Sequence, residues 1–424
     1  MIRLGSPAPP EPPDAPDPPE IPMTAEESQP EFASAISEAK QTSDALDEIS
    51  AQLRRRFEGP ADLLAVFATP HHAGAFGRIY ERLNATFRPQ VMLGTTGEGV
   101  VGVKKEVEHS AGLTALVGRM PGVGIEPLRY DPHEHSALVE EPQALAKLFD
   151  NNTCPRGIVL LADPFTTPIM TILPNFDKAY PTVPVVGGLA SASTKPGGNR
   201  LLIDGKIYNN GAVGVGLFGP VHLQCTVSQG CRPVGKPWVI TRSKRHVVQQ
   251  LGGKTALDVV RQMVADLDQD EQYLVQSYGL QVGRVIDEYR HRFGRGDFLI
   301  RGINGVDHAA GCFGIADPSV RTGQTIQFHV RDQATAREDF SLLLEAQKLH
   351  GRASGALLFT CNGRGTNLFD RSDTDPSIVA DSLGPVPLAG FFAAGEVGPI
   401  GDQNFVHGHT ASLVVFRPEN GSAS

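Results

Sequence analysis

Three stretches of this 424-residue chain read as edited copies of one unit, and that repetition limits the fold more than any single motif. Each copy opens with a short apolar run ending in small or polar residues: LLAVFATPHH (63–72), GIVLLADPF (157–165) and GALLFTCNGRG (355–365). A helix-length interval later, a second apolar run breaks into a small-residue loop: VMLGTTGEGVVG (91–102), VPVVGGLASAS (183–193) and VPLAGFFAAGEVGP (386–399). A third run closes each copy: HSAGLTALVG (109–118), NNGAVGVGLFG (209–219) and VHGHTASLVVF (406–416). The pattern specifies an α/β protein with mixed β-sheets flanked by helices, built from repeated strand-helix-strand units in two domains. A crossover through a helix makes the first two strands of a copy parallel, and the third can pair antiparallel. Loops at the carboxyl ends of neighbouring parallel strands point the same way, so the copies can pool them into one pocket.

Composition narrows the class. Hydrophobic residues make up 40% and charged residues 20%, as in ordinary globular proteins. Lys plus Arg is 38 and Asp plus Glu is 47, and the resulting net charge of −9 argues against a general nucleic-acid surface. No apolar run approaches the roughly 18–20 residues that span a membrane, and the N-terminus lacks the apolar core of a secretory signal. The cysteines (Cys154, Cys225, Cys231, Cys312 and Cys361) are odd in number and scattered, which suits reduced thiols rather than a disulfide framework or zinc knuckle. A cytoplasmic protein without nucleic-acid or membrane partners is expected.

Along the chain, residues 1–30 form a Pro-, Glu-, Asp- and Ser-rich leader with little to bury, and 419–424 a short tail, both expected to be disordered. Residues 31–228 are assigned to a first domain, an amphipathic helix followed by two copies, and 229–418 to a second. The spacing of Phe32, Ile36, Leu46, Ile49, Leu53 and Phe57 predicts one or two helices, with Ser43 or Asp44 as a cap for the second. Short helices are predicted over 141–150 and around Leu257, Val260 and Met263, and a longer one over 335–350. Turns are predicted at Pro233–Gly235, at Gly252–Gly253 and at Gly302–Gly305, the last stabilised by Asn304 and Asp307.

The strand-end loops carry the polar chemistry. Gly94–Gly99 offers Thr95 and Thr96 hydroxyls, backbone donors and the Glu98 carboxylate, without the signature of a phosphate or dinucleotide loop. Ser191 and Ser193 occupy the same place in the second copy. The third copy has Cys361, Asn362 and Arg364, and its Gly395–Glu396 repeats the Gly97–Glu98 pair of the first. Arginine suits bidentate binding of a carboxylate, asparagine both donates and accepts, and a cysteine can act as a nucleophile if its pKa is lowered. His407 and His409 share one side of a strand. They could flank a ligand or join a metal, but the spacing demands no metal, and neither a metal nor another cofactor is assigned.

The strings FASAISEA (32–39), LLAVFATPHHAG (63–74), LGTTGEGVVG (93–102) and VPVVGGLASAS (183–193) resemble the N-terminal part of the FIST domain. GCRPVGKPWVITR (230–242), DFLIRGING (297–305), LLFTCNGRG (357–365) and LAGFFAAGEVGPIGDQNFVHGHTASL (388–413) resemble its C-terminal part. The similarity spans 32–416. It implies a sensory module that binds a small molecule, with amino acids among the candidates, and passes a signal to a protein partner. No catalytic residues carry over.

The chain is therefore read as a sensor rather than an enzyme. Its ligand set is Thr95, Thr96, Glu98, Ser191, Cys361, Asn362, Arg364, Glu396, Asn404 and His407. Arg364 would clamp a ligand carboxylate, and Glu98 or Glu396 would receive an amine. The alternatives are a thiol-dependent hydrolase or transferase using Cys361 with His407 or His409, and a protein-interaction scaffold.

Overall fold

The computed structural model describes residues 29–419 apart from 136–138, 140, 146–147, 150–152, 291 and 295. The leader up to residue 28 and the tail from residue 420 lie outside the described residues. So does part of the helix predicted over 141–150, of which Pro142–Leu145 is seen.

The fold is of the mixed α/β class, and the copies have the same internal order. Leu63–Ala68 runs parallel to Val91–Thr96, across the helix Phe76–Phe87, and antiparallel to Leu113–Arg119. Gly157–Ala162 is related in the same way to Val185–Leu189, across Ile169–Ala179, and to Ala212–Phe218. Gly355–Cys361 repeats this with Leu388–Ala393, across Thr374–Leu383, and with Thr410–Pro418. A further strand flanks each unit: Glu31–Ser37, Gly124–Tyr130 and Val221–Gln229 pair antiparallel with the three closing strands. Val221–Gln229 lies before residue 229 except for its last residue, yet it completes the sheet of the third unit.

The units are interlocked by exchanged hairpins. Val100–Gly102 and Lys105–Val107, which follow the loop of the first unit, join Leu388–Ala393 of the third. Glu396–Ile400 and Gln403–His407 of the third join Val185–Leu189 of the second. Leu201–Ile203 and Lys206–Tyr208 of the second join Val91–Thr96 of the first. The exchange runs in a closed circle, so no unit completes its sheet alone.

One glycine position shows how closely the copies correspond. Gly94, Gly187 and Gly390 occupy the same place in the three second strands. A Cβ there would lie 2.3, 1.8 and 1.8 Å from the carbonyl oxygens of Val66, Leu160 and Leu358 on the adjacent parallel strand. Only glycine permits that approach.

Between the sheets lies a core drawn from all three units, including Phe67, Leu93, Val159, Val186, Phe359 and Phe391. Phe67 stacks on Phe391 with centroids 5.2 Å apart and meets Phe359 edge-on at 6.2 Å. The outer sheet faces bury separate clusters under helices, through Ile49, Ile79 and Leu83 in the first unit, Ile172 and Phe176 in the second, and Phe340, Leu344 and Val379 in the third. Burial on both faces explains why the strands read as unbroken apolar runs.

Between Val221–Gln229 and the helix Gln333–Gln347, the chain leaves the third unit to build a barrel. Cys231–Lys244, Thr325–Arg331, Leu280–Val285, Phe298–Asp307, Cys312–Ile315 and Val247–Leu251 pair antiparallel in that order. Val247–Leu251 then returns to Cys231–Lys244 and closes the ring around Val234, Ile240, Phe313 and Phe328. Closure pairs each of these six strands on both sides, and only the two-residue strand Lys254–Thr255 lies at the end of the order.

Local expectations fail where tertiary pairing overrides spacing. Residues 32–57 are not helical throughout: Glu31–Ser37 is a strand beside Leu113–Arg119, with Phe32 stacked on Phe416 at 5.1 Å, and the helix is Thr42–Arg54. Its N-cap is Gln41, and Ser43 Oγ donates to Asp44 Oδ1 instead of capping. Phe298–Asp307 passes through the predicted glycine turn as one strand, and the turn follows, where Asp307 Oδ1 accepts Ala310 N at 2.9 Å. At Pro233–Gly235 there is a register shift inside a single strand rather than a turn.

Candidate functional site

Parallel pairing carries the loops of each unit to one end, and the hairpin exchange brings the three ends into contact. Glu98 N donates to Ser191 Oγ at 2.8 Å, and Ser191 N donates to Thr96 O at 3.3 Å, linking the first and second loops. Ser191 Oγ donates to Phe392 O, and Leu189 N donates to Gly395 O at 2.8 Å, linking the second and third. Phe392 N donates to Gly99 O at 3.0 Å and closes the ring. The loops thus form a knit surface over the end of the shared core.

Thr96, Glu98 and Ser191 meet in this ring. The two threonine hydroxyls hold the exchanged hairpin: Thr95 Oγ1 donates to Arg200 O at 3.0 Å, and Thr96 Oγ1 accepts from Arg200 N at 2.9 Å. Glu98 is half-buried. Its carboxylate takes no hydrogen bond from the described residues.

A second cluster gathers about Gly363 at the end of the third unit. A Cβ on Gly363 would lie 3.2 Å from His409 Nδ1 and 3.6 Å from both Cys361 Sγ and Arg331 Nη2. Cys361 Sγ accepts from Gly363 N at 3.4 Å. Arg364, with no exposed surface, donates from Nε to Asp375 Oδ2 at 2.8 Å and from Nη2 to Asp375 Oδ1 at 2.7 Å. Thr360 Oγ1 also donates to Asp375 Oδ2, at 2.6 Å. Glu396 Oε2 accepts from Thr410 N at 3.2 Å and Thr410 Oγ1 at 2.8 Å. Asn362 is half-buried beside this group, with its backbone N donating to Ala393 O and its carbonyl accepting from Asn367 Nδ2, both at 2.9 Å.

Burial sets the protonation states. It pushes the Glu396 carboxyl up to about 8, against the bonds from Thr410. Burial and the nearby Glu396 push the Cys361 thiol up. Burial, with Arg331 and Arg364 close by, pushes His409 down to about 4. Beside Asp375 the buried Glu106 carboxyl is pushed up to about 9 by desolvation and by the charges of Asp375 and Glu108. At neutral pH the cluster therefore holds neutral acids, a thiol, a neutral imidazole and one compensated ion pair. Arg364 Nη1, Glu396 Oε1, His409 Nδ1 and both Glu106 carboxyl oxygens have no hydrogen-bond partner among the described residues.

The remaining residues of the sequence set lie elsewhere. Asn404 staples the exchanged hairpin to the second unit: its Oδ1 accepts from Val185 N at 2.8 Å, and its Nδ2 donates to Asp177 Oδ1 at 2.7 Å and Val183 O at 2.9 Å. It also lines a groove of about 410 Å³ at the amino ends of the strands. His407 Nε2 donates to Gly398 O at 2.9 Å within its own hairpin, which fixes the tautomer, and burial pushes it down to about 4. The two Gly-Glu pairs are not equivalent. Glu98 sits in a turn four positions after Gly94, whereas Glu396 is six positions after Gly390, buried in a strand opposite Gly188.

Sequence reasoning missed Asp375, Glu106, Thr410 and Arg331. An arginine inside an apolar strand end demands a carboxylate, yet Asp370, Asp373 and Asp375 all follow within one loop and helix start. Among the described residues no three His, Cys, Asp or Glu side chains are grouped to hold a metal ion, and no helix is long and apolar enough to cross a membrane.

Three interlocked α/β units with pooled strand-end loops and an inserted barrel define the class of this protein. The chain belongs to the FIST family: the FIST N domain matches residues 62–254 and the FIST C domain residues 256–399. FIST domains are small-ligand-binding sensory domains of signalling proteins. An uncharacterized protein of Mycobacterium tuberculosis strain H37Rv is 37% identical over 384 residues, covering 90% of this chain and 98% of the relative. An uncharacterized protein of Mycobacterium bovis is 37% identical over 373 residues, covering 87% and 94%.

Proposed function

We propose that the chain is a cytoplasmic sensor of a small polar metabolite of the amino-acid class, taken at the strand-end face, and that it signals to a protein partner. The observation that carries this reading is the concentration of buried polar atoms on Arg364, Glu396 and His409 that have no partner among the described residues. Such atoms cost free energy unless another polar group meets them. Glu98 receives the ligand amine, the loop N–H groups and hydroxyls orient it, and the carboxylate is met by the free Nη1 of Arg364. Because the loops bond to one another, a ligand seated on one loop stabilises all three units.

Full-length protein should show a raised thermal midpoint with at least one amino acid or close metabolite at millimolar concentration. At a hundredfold excess over Kd the gain is about 2.7 kcal/mol. The shift should be lost in Glu98→Gln, whose side chain holds no other described residue. A flat response to the whole panel, or an unchanged shift in Glu98→Gln, would contradict the proposal.

The nearness of Cys361 Sγ and His409 Nδ1 to Gly363 favours a second reading, thiol chemistry. Protonation states weigh against it: the thiol is held up and the imidazole held down at about 4, so neither a thiolate nor a competent base is present at neutral pH. Cys361 should resist iodoacetamide in the folded protein, and fast labelling there would revive the second reading.

A further inference from the structure

No Asp or Glu occurs between Asp204 and Asp258, in a chain whose net charge is −9. The cations of that interval collect on one part of the barrel. Lys236, Arg242, Lys244, Arg245 and Lys254 are all exposed on the hairpin of Cys231–Lys244 with Val247–Leu251 and the turn that follows it. Arg232 pairs with Glu271 at 2.8 Å, but these five have no carboxylate within salt-bridge reach among the described residues. The acids nearby are engaged: Glu288 accepts from Thr325 N at 2.7 Å, Asp258 pairs with Arg261 at 2.8 Å, and Asp307 accepts from Ala310 N. The chain's single tryptophan, Trp238, lies among them with Lys236 Nζ 4.5 Å from its ring centroid, and its indole Nε1 is buried. Beside it Val239 is 46% exposed.

We propose that this hairpin is a docking surface for an acidic peptide segment of a partner protein. Five exposed, unpaired cations are donors without acceptors, and carboxylates supply acceptors of the required charge. The exposed Val239 gives an apolar spot that a charged rim lacks on its own, and the half-buried Trp238 lies on the other face of the same strand. Single-stranded nucleic acid fits less well: it needs free aromatic faces for successive bases, and the Trp238 ring is covered by Lys236. The barrel strands are paired on both sides and the terminal strand Lys254–Thr255 is only two residues long, so recognition runs through side chains. The surface does not depend on the small-ligand site.

Trp238 is its own reporter. Titrating the full chain with a glutamate-rich peptide at low salt should change tryptophan emission with micromolar affinity, and added salt should weaken it. Lys244→Glu combined with Arg245→Glu should raise Kd at least about tenfold without moving the thermal midpoint, because both side chains are exposed and unpaired. Lys40→Glu combined with Arg54→Glu, an equal charge change on the first unit, should leave Kd unchanged. Absence of peptide binding, equal loss in that second double variant, or tighter binding of oligo-dT or phosphatidylserine vesicles than of the peptide would overturn the proposal.

Discussion

Arg364→Ala is expected to destabilise the folded chain by about 3–5 kcal/mol, the cost of removing one partner from a buried ion pair. Arg364 and Asp375 have no exposed surface, and both Asp375 oxygens accept from the guanidinium. Without it, Asp375 is left as a buried charge near Glu106, which is itself uncharged only because burial and its acidic neighbours push it up to about 9. Arg364→Lys should recover little, since one ammonium cannot replace the two-point contact. Removing Asp375 as well, in Arg364→Ala with Asp375→Ala, should destabilise less than the two single losses added together, because the double variant leaves neither charge unpaired. Urea denaturation of the four variants measures this. A single-variant loss below about 1 kcal/mol, the range of an exposed pair, would show that the pair does not hold the third unit together.

Stability should peak near pH ~6.5 and fall by about 2–3 kcal/mol between pH 7 and 8. An unfolded glutamate titrates near ~4.3, whereas burial raises Glu396 to about 8 and Glu106 to about 9. Between those limits the folded chain keeps a proton that the unfolded chain has released. Each group therefore lowers stability as pH rises, by about 1.4 kcal/mol per pH unit. Buried imidazoles act in the opposite sense. Desolvation holds His329, His407 and His409 down at about 4. Unfolded histidine binds its proton up to ~6.5, so these groups raise stability with pH only below that value. Above it the two glutamates act alone. Glu396→Gln keeps the neutral hydrogen-bonding shape and should roughly halve the fall. An unaltered slope in that variant would contradict the assignment of a protonated Glu396.

Much of this fold is legible because strands buried on both faces leave unbroken apolar runs, and because Gly94, Gly187 and Gly390 are forced by the closeness of a neighbouring carbonyl. The exchange of hairpins is not legible. VVG at 100–102 and EVGPI at 396–400 are too short to state which sheet they join, and their partners are hundreds of residues or a whole unit away. Glu31–Ser37 was hidden by a spacing that suits a helix as well as a strand. At the candidate site, the bonding of the loops was not legible: the Arg364 fork faces Asp375, and Asn404 and His407 serve the exchanged hairpin. Protonation of Glu396 follows from burial, which no local pattern displays.

The central claim is that the strand-end loops of three units act as one ligand-responsive face. Hydrogen–deuterium exchange of the full chain, with and without the amino acid that most raises the thermal midpoint, tests it most directly. Slowed exchange at 94–99, 188–193 and 392–410 together is the predicted result. Protection confined to one loop, or centred instead on the groove of about 610 Å³ that Phe32, Arg119, Arg352 and Pro387 line at the amino ends of the strands, would contradict it.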